Sequence, residues 1–166
     1  MKNLPPSFVF LREATDDDIA LCMAWRSNPL VYAGFFSQKK HLTWEEHDKW
    51  WHNRNKDWRQ FIIMVLDEEA VQRPVGVITI GQLDYWECEY GVYIGEVSSW
   101  GKGYGSRAIQ LALDWVNIYR ETHSSIVAVR TTILDKNITS IKLFLKLGWK
   151  RIAPARKNES LYRKWL

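Results

Sequence analysis

Apolar positions recur along this chain with two periods, and the order in which those periods alternate sketches a fold. Residues 8–12 form a short apolar strand, and Thr15, Asp16, Asp17 and Asp18 behind it supply oxygens that can cap the amides of a helix running to about Trp25. Arg26, Ser27, Asn28 and Pro29 stop that helix, and a loosely patterned stretch follows to Lys40. Thr43-Trp44-Glu45-Glu46 fits a capping box that opens a second helix through about Asn55, with Trp44, His47, Trp50 and Trp51 at helical spacings. Residues 60–66, 75–83 and 89–97 are β-rich runs in succession, which predicts an antiparallel meander.

The second half changes rhythm. Residues 106–120 are apolar on most of a helical circumference, at Ala108, Ile109, Leu111, Ala112, Trp115, Val116 and Tyr119, so this helix must lie against a sheet. Residues 126–133 read as a strand, 136–147 as a helix that Gly148 ends, and 149–153 and 161–165 as two closing strands. No repeat, low-complexity tract or linker interrupts the pattern, so residues 1–166 are expected to form a single domain of mixed α/β type.

Composition adds few constraints. Hydrophobic residues at 46% and charged residues at 25% are ordinary, but ten Trp in 166 residues is far above the usual share, and that aromatic surface must be packed or used. A net charge of +4 leans toward an anionic ligand, yet Lys and Arg are dispersed without a block of like charges, so no nucleic-acid partner is expected. Two cysteines, Cys22 and Cys88, make no disulfide framework and no metal-binding spacing, so no metal is expected. Residues 1–6 lack a basic segment followed by an apolar run, and no stretch is apolar enough to span a bilayer. The expectation is a cytoplasmic protein, monomer or homodimer, with no membrane association.

The chemical signal lies between the third strand and the long helix, where Gly101-Lys102-Gly103-Tyr104-Gly105 joins them. A helix mouth offers unpaired amides and a partial positive charge, and glycines let those amides close around a diphosphate, with Lys102 beside them. A dinucleotide fingerprint would need glycine where Ser106 stands, and the GxxxxGK loop of nucleotide hydrolases is absent. A merely flexible loop fits the glycines too.

The run from Ile94-Gly95-Glu96 through Trp100-Gly101-Lys102-Gly103-Tyr104-Gly105 resembles the acetyl-CoA motif Q/R-x-x-G-x-G/A of the GNAT N-acetyltransferases, with Trp100 at its first position. Asn137 to Ser140, followed by Leu143-Phe144-Leu145-Lys146-Leu147-Gly148-Trp149, resembles the family's second motif. The Trp100 variant is similar to the branch that includes ribosomal-protein N-terminal, polyamine and amino-sugar acetyltransferases. The resemblance implies a twisted, mostly antiparallel sheet of six or seven strands flanked by about four helices, with acetyl-CoA as cofactor. It implies cofactor contacts at Ile94, Gly95, Val97, Lys102, Gly103, Tyr104, Gly105, Ser106, Asn137 and Phe144. Asn137 also reads as a helix cap, and both roles can coexist.

In the family's chemistry a neutral amine attacks the thioester directly, so the enzyme supplies proximity and oxyanion stabilisation. The cofactor would lie along 93–97 where strands part and leave amides free, with Gly91 and Gly95 permitting a bulge or close approach. Glu89 is the first candidate for the general base, ahead of Glu96 and His47, and an exposed strand carboxylate is the equal alternative. Where many family members carry an acidic Tyr this sequence has Phe144, so either Tyr104 or Tyr162 protonates the thiolate, or water does, which is preferred, or activity is weak or absent. Residues 26–58 are expected to select the amine, with Arg26, His47 and Trp50 as contacts: a short resemblance there to acetylases of nucleotide-linked amino sugars points to a small-molecule acceptor, a peptide α-amine is the alternative, and a non-catalytic module that binds CoA or nucleic acid is the alternative of another class. The same aromatics could instead pack the helix to the sheet.

Overall fold

Every run read as a strand forms one, and all seven pair into a single sheet. In the computed structural model, which describes residues 8–35, 37–67, 69–123 and 125–166, the strands are β1 (Phe8–Glu13), β2 (Arg59–Leu66), β3 (Gln72–Gly81), β4 (Glu87–Ile94), β5 (Ala128–Leu134), β6 (Lys150–Arg156) and β7 (Glu159–Trp165). The order across the sheet is β1-β2-β3-β4-β5-β7-β6, antiparallel throughout except for β4 against β5. The helices are α1 (Ile19–Arg26), the single turn α2 (Pro29–Tyr32), α3 (Trp44–His52), α4 (Tyr104–His123) and α5 (Ile138–Lys146). The expected class holds, with one helix more than anticipated. Among the described residues no helix is long and apolar enough to cross a membrane.

Local chemistry explains most boundaries. Thr43 accepts from the Glu46 amide at 3.1 Å while the Glu46 carboxylate accepts from the Thr43 amide at 2.9 Å, so the capping box that opens α3 is real. Thr15 opens a 3-10 turn before α1, where its amide donates to Asp18 at 2.8 Å. Asp18 also accepts from Arg12 through two guanidinium nitrogens, at 2.7 and 3.0 Å; burial opposes ionisation, but these bonds hold the carboxyl below its ordinary range. The turn α2 was hidden in the stretch read as irregular. Asn28 accepts from the Leu30 amide at 3.0 Å and Pro29 occupies the first helical position, a start signal that the same residues also offer as a stop. Gly148 ends α5 at φ +82°, as the sequence indicated.

Two apolar layers cover the two faces of the sheet. The larger packs α4 and α5 onto it through Ala108, Ile109, Ala112, Val116 and Phe144, against Ile78, Ile80, Cys88 and Tyr90. The smaller joins α1 and α3 to Ile62, Met64 and Val77 through Ile19, Cys22, Trp25 and Trp51. Burial, with the nearby Asp18 charge, pushes the Cys22 thiol up to about 12, and burial does the same for Cys88, so both behave as small apolar residues.

Candidate active site

The site grows from a defect in the sheet. The parallel ladder of β4 with β5 has three rungs, Glu87 with Ala128, Cys88 with Val129 and Glu89 with Arg130, and then stops. One residue further a side chain replaces the rung, the Thr131 hydroxyl donating to the Tyr90 carbonyl at 2.9 Å. Beyond that point β4 remains paired with β3 up to Ile94 but, among the described residues, faces no strand on its other edge.

Strand alternation settles which groups line the gap. The Gly95 amide donates to the Val75 carbonyl at 2.9 Å, so Gly91 and Tyr93 turn their backbone groups toward β3, and Val92 and Ile94 turn theirs toward the opening. Glu96 donates to the same carbonyl at 3.1 Å, the two-to-one pattern of a bulge, which bends the chain away at the end of β4. A bulge at Gly95 was expected; Gly91, offered with it, lies in unshifted register. Gly95 has a second reason to be glycine, because a Cβ there would meet the Trp25 indole at 2.2 Å. Helix α1 therefore sits directly on the end of β4.

After a 3-10 turn (Val97–Ser99) the chain enters the glycine loop. Gly101 and Gly103 have φ of +76° and +81°, and a Cβ built on either meets nothing within 4 Å. Packing does not demand these glycines; backbone conformation does, and the space they leave is open. The Gly103 carbonyl accepts the first bond of α4 from Arg107 at 3.1 Å, so the amides of Gly105 and Ser106 face the helix mouth without helical acceptors. Lys102 stands exposed beside them. Trp100, at the motif position where Gln or Arg is usual, donates its indole N–H to the Ile94 carbonyl at 2.9 Å and so closes the far end of the gap.

The remaining sequence candidates divide. Asn137 caps α5, accepting from the Ser140 amide at 3.2 Å, and a Cβ at Gly34 would come 3.1 Å from its amide nitrogen. Phe144 is 2% exposed and sits edge-on to Trp149 with centroids 4.9 Å apart. Tyr104 and Tyr162, the tyrosine alternatives for proton donation, are buried as well. Glu89 is half-buried on the face opposite α4, its Oε2 3.4 Å from Arg130 at the last rung of the ladder. Glu96 is exposed and accepts from the Ser98 hydroxyl at 2.9 Å.

Arg26, His47 and Trp50 do come together on that same face. The Arg26 guanidinium lies 4.7 Å from the Trp50 ring, and His47 stacks on Trp50 at 5.8 Å. His47 is 1% exposed, and its Nε2 lies 3.1 Å from the Ile19 carbonyl, so that nitrogen carries the proton and Nδ1 is left without a partner among the described residues. Burial first, then the Arg26 charge, pushes its pKa down. His47 thus supports Trp50 from beneath; Trp50 is 41% exposed, and Arg26 is half-buried beside it with its Nε donating to the Gln38 side-chain oxygen at 3.3 Å. Sequence reading missed the polar group at the foot of β4. There Arg130 donates to Gln82 at 2.7 Å, and Arg163 meets Glu87 with Nε 2.7 Å from Oε1, although only Nη2, at 3.2 Å from Oε2, is aligned for a hydrogen bond.

The gap between β4 and β5 leads to the glycine-lined mouth of α4, an arrangement that can hold an extended anionic ligand. Consistent with it, residues 9–150 match the acetyltransferase (GNAT) domain family, and the chain belongs to that family. An uncharacterised protein of Methanocaldococcus jannaschii is 42% identical over 160 residues; they make up 94% of this chain and 31% of that protein, so the chain spans about a third of its relative. A crystallised domain from Methanocaldococcus jannaschii superposes with a TM-score of 0.89 at 39% identity, over 96% of this chain and 99% of that one. Spermidine N-acetyltransferase from Vibrio cholerae, crystallised with CoA and spermine, shares the fold at TM-score 0.76 and 15% identity, covering 95% of this chain and 94% of that one.

Proposed function

We propose that the protein transfers the acetyl group of acetyl-CoA to the primary amine of a small molecule, an amino sugar or its nucleotide-linked form. The observation that carries this is the gap between β4 and β5, which ends on the open Gly101–Gly103 loop. The amides of Gly103, Tyr104, Gly105 and Ser106, with Lys102, hold the diphosphate. The groups of Val92 and Ile94, followed by Gly95 and Val97, line the pantetheine arm, and Asn137 and Phe144 border its other side. When bound, acetyl-CoA supplies a thioester whose carbonyl carbon accepts the nitrogen.

This chain's part is to bind, orient and move one proton. Amides on the open edge of β4 act as donors to charge developing on the carbonyl oxygen. Glu89, at the vertex of the gap, takes the proton that the ammonium must lose, directly or through water. Phe144 has no proton to give, so water serves the departing thiolate. Arg26 and Trp50 contact the acceptor, the guanidinium suiting an anionic group and the indole a ring face. The bound spermine of the Vibrio cholerae enzyme supports small amines as a substrate class for this fold.

The test is thiol release from acetyl-CoA in the presence of UDP-linked amino sugars, polyamines and N-terminal peptides. Turnover with amino sugars supports the proposal. Turnover confined to peptides would replace it with N-terminal protein acetylation, and salt-sensitive RNA binding without coenzyme affinity would replace enzyme with binding module.

A further inference from the structure

A cavity of about 490 Å³ opens at the foot of β4, on the face away from α4, and no role is yet assigned to it. Its size falls within the range of small-molecule sites, about 300 to 1,000 Å³. It is bounded by the loop before β2, which brings Asn55, Asp57 and Trp58, and by the turn before β4, which brings Gln82, Tyr85 and Trp86. The Leu83 amide donates to the Asp57 carbonyl at 3.1 Å and ties the two walls together.

Three features show a built wall. Trp58 lies flat on Gly81, where a Cβ would come 2.3 Å from the indole, so only glycine lets the ring settle there. Gln82 adopts a left-handed φ of +61°, a strained conformation for a residue other than glycine, and its side-chain oxygen accepts from Arg130 at 2.7 Å. Arg130 lines the cavity and also meets Glu89, while its Nε is a buried donor with no acceptor among the described residues. Tyr85 and Trp86 add rings that are 60% and 58% exposed.

The charge pattern selects the ligand. Glu87 is answered by Arg163 and Glu89 by Arg130, which leaves Asp57 as the wall's carboxylate without an ion pair among the described residues. A phosphate would meet Asp57 and Glu87 and find a single cation already shared. A polyamine would satisfy Asp57 but set its remaining ammonium groups against the Arg130 guanidinium. A hydroxylated ring offers donors to Asp57 and Asn55, acceptors to Arg130, and an apolar face to the indoles.

We infer that this cavity is a carbohydrate-binding subsite, in which a sugar ring stacks on the exposed Trp86 and exchanges hydrogen bonds with Asp57 and Arg130. Arg130 forms the last rung of the ladder with Glu89, so a ring held here lies beside the vertex of the gap. As the acceptor's own ring it deepens the amino-sugar reading and rests on it; as a binding site it stands separately.

Saturation-transfer NMR with glucosamine, N-acetylglucosamine and spermidine at millimolar concentration tests it, on wild-type protein and on the surface variants Trp86→Ala and Asp57→Asn. Both sugars should bind wild type, and each variant should weaken them roughly tenfold, the loss of one stacking or hydrogen-bonding contact. Spermidine binding should be absent or unaffected. No sugar binding, equal binding by the variants, or spermidine lost in parallel would overturn the inference. Sugar binding lost in Trp86→Ala without acetyl transfer to any amino sugar would uphold the subsite and remove the acceptor reading alone.

Discussion

Substituting Gly103→Glu separates folding from coenzyme binding. Gly103 sits at φ +81° with nothing within 4 Å of a prospective Cβ, so the folded state meets no clash. The cost is backbone strain of about 1 to 2 kcal/mol for a left-handed residue with a side chain. In a domain of this size each kcal/mol lowers the melting temperature by about 2 to 4 °C, so a fall of about 2 to 8 °C is expected. Binding suffers far more. The new carboxylate enters space proposed for a diphosphate, and two like charges about 4 Å apart at an effective dielectric near 20 repel by about 4 kcal/mol. That converts to roughly a thousandfold loss of affinity for coenzyme A. Calorimetric titration with CoA, beside a thermal melt followed by circular dichroism, reads both quantities. A folded variant that binds CoA within about threefold of wild type would refute the assignment of the loop.

Three further outcomes follow from the same geometry. Gly95→Ala drives a Cβ to 2.2 Å from the Trp25 indole and should destabilise the fold by about 1 to 3 kcal/mol or more; an unchanged urea midpoint would contradict that contact. His47 is held neutral by burial, so below the unfolded value of about 6.5 the unfolded chain takes up a proton that the folded chain refuses. Stability should therefore fall as pH drops from about 6.5 toward the depressed folded value, and His47→Gln should flatten that part of the profile; equal slopes would show that His47 is not the titrating group. Glu89→Gln should lower turnover and alter its pH dependence with little effect on KM for acetyl-CoA, whereas an unchanged profile removes Glu89 as the proton acceptor.

Legibility in the sequence tracked how local each determinant is. The capping box at Thr43 and Glu46, the helix stop at Gly148 and the glycine loop depend on residues within a few positions, and all were readable. The turn α2 does not stand out in the sequence although Asn28 and Pro29 form a local cap, because the same pair also reads as a stop. The requirement at Gly95 comes from Trp25, seventy positions away, and that at Gly81 from the ring of Trp58. The ion pairs of Glu87 with Arg163 and Glu89 with Arg130 join β4 to β7 and to β5, a juxtaposition that follows from sheet order and register. Periodicity identified those strands but carried no information about which would be neighbours. Residue type alone nominated Arg26, His47 and Trp50; the stacking of Arg26 on Trp50 and the burial of His47 beneath them are visible only in three dimensions.

The most direct measurement compares CoA with pantetheine, which keeps the arm and thiol but lacks the diphosphate and adenosine, in calorimetric titrations of the wild-type protein. If the mouth of α4 grips the diphosphate, CoA should bind at least about a hundredfold more tightly, the sum of two charge-assisted amide contacts. Equal affinities, or no heat with CoA at millimolar concentration, would contradict the claim on which the account stands.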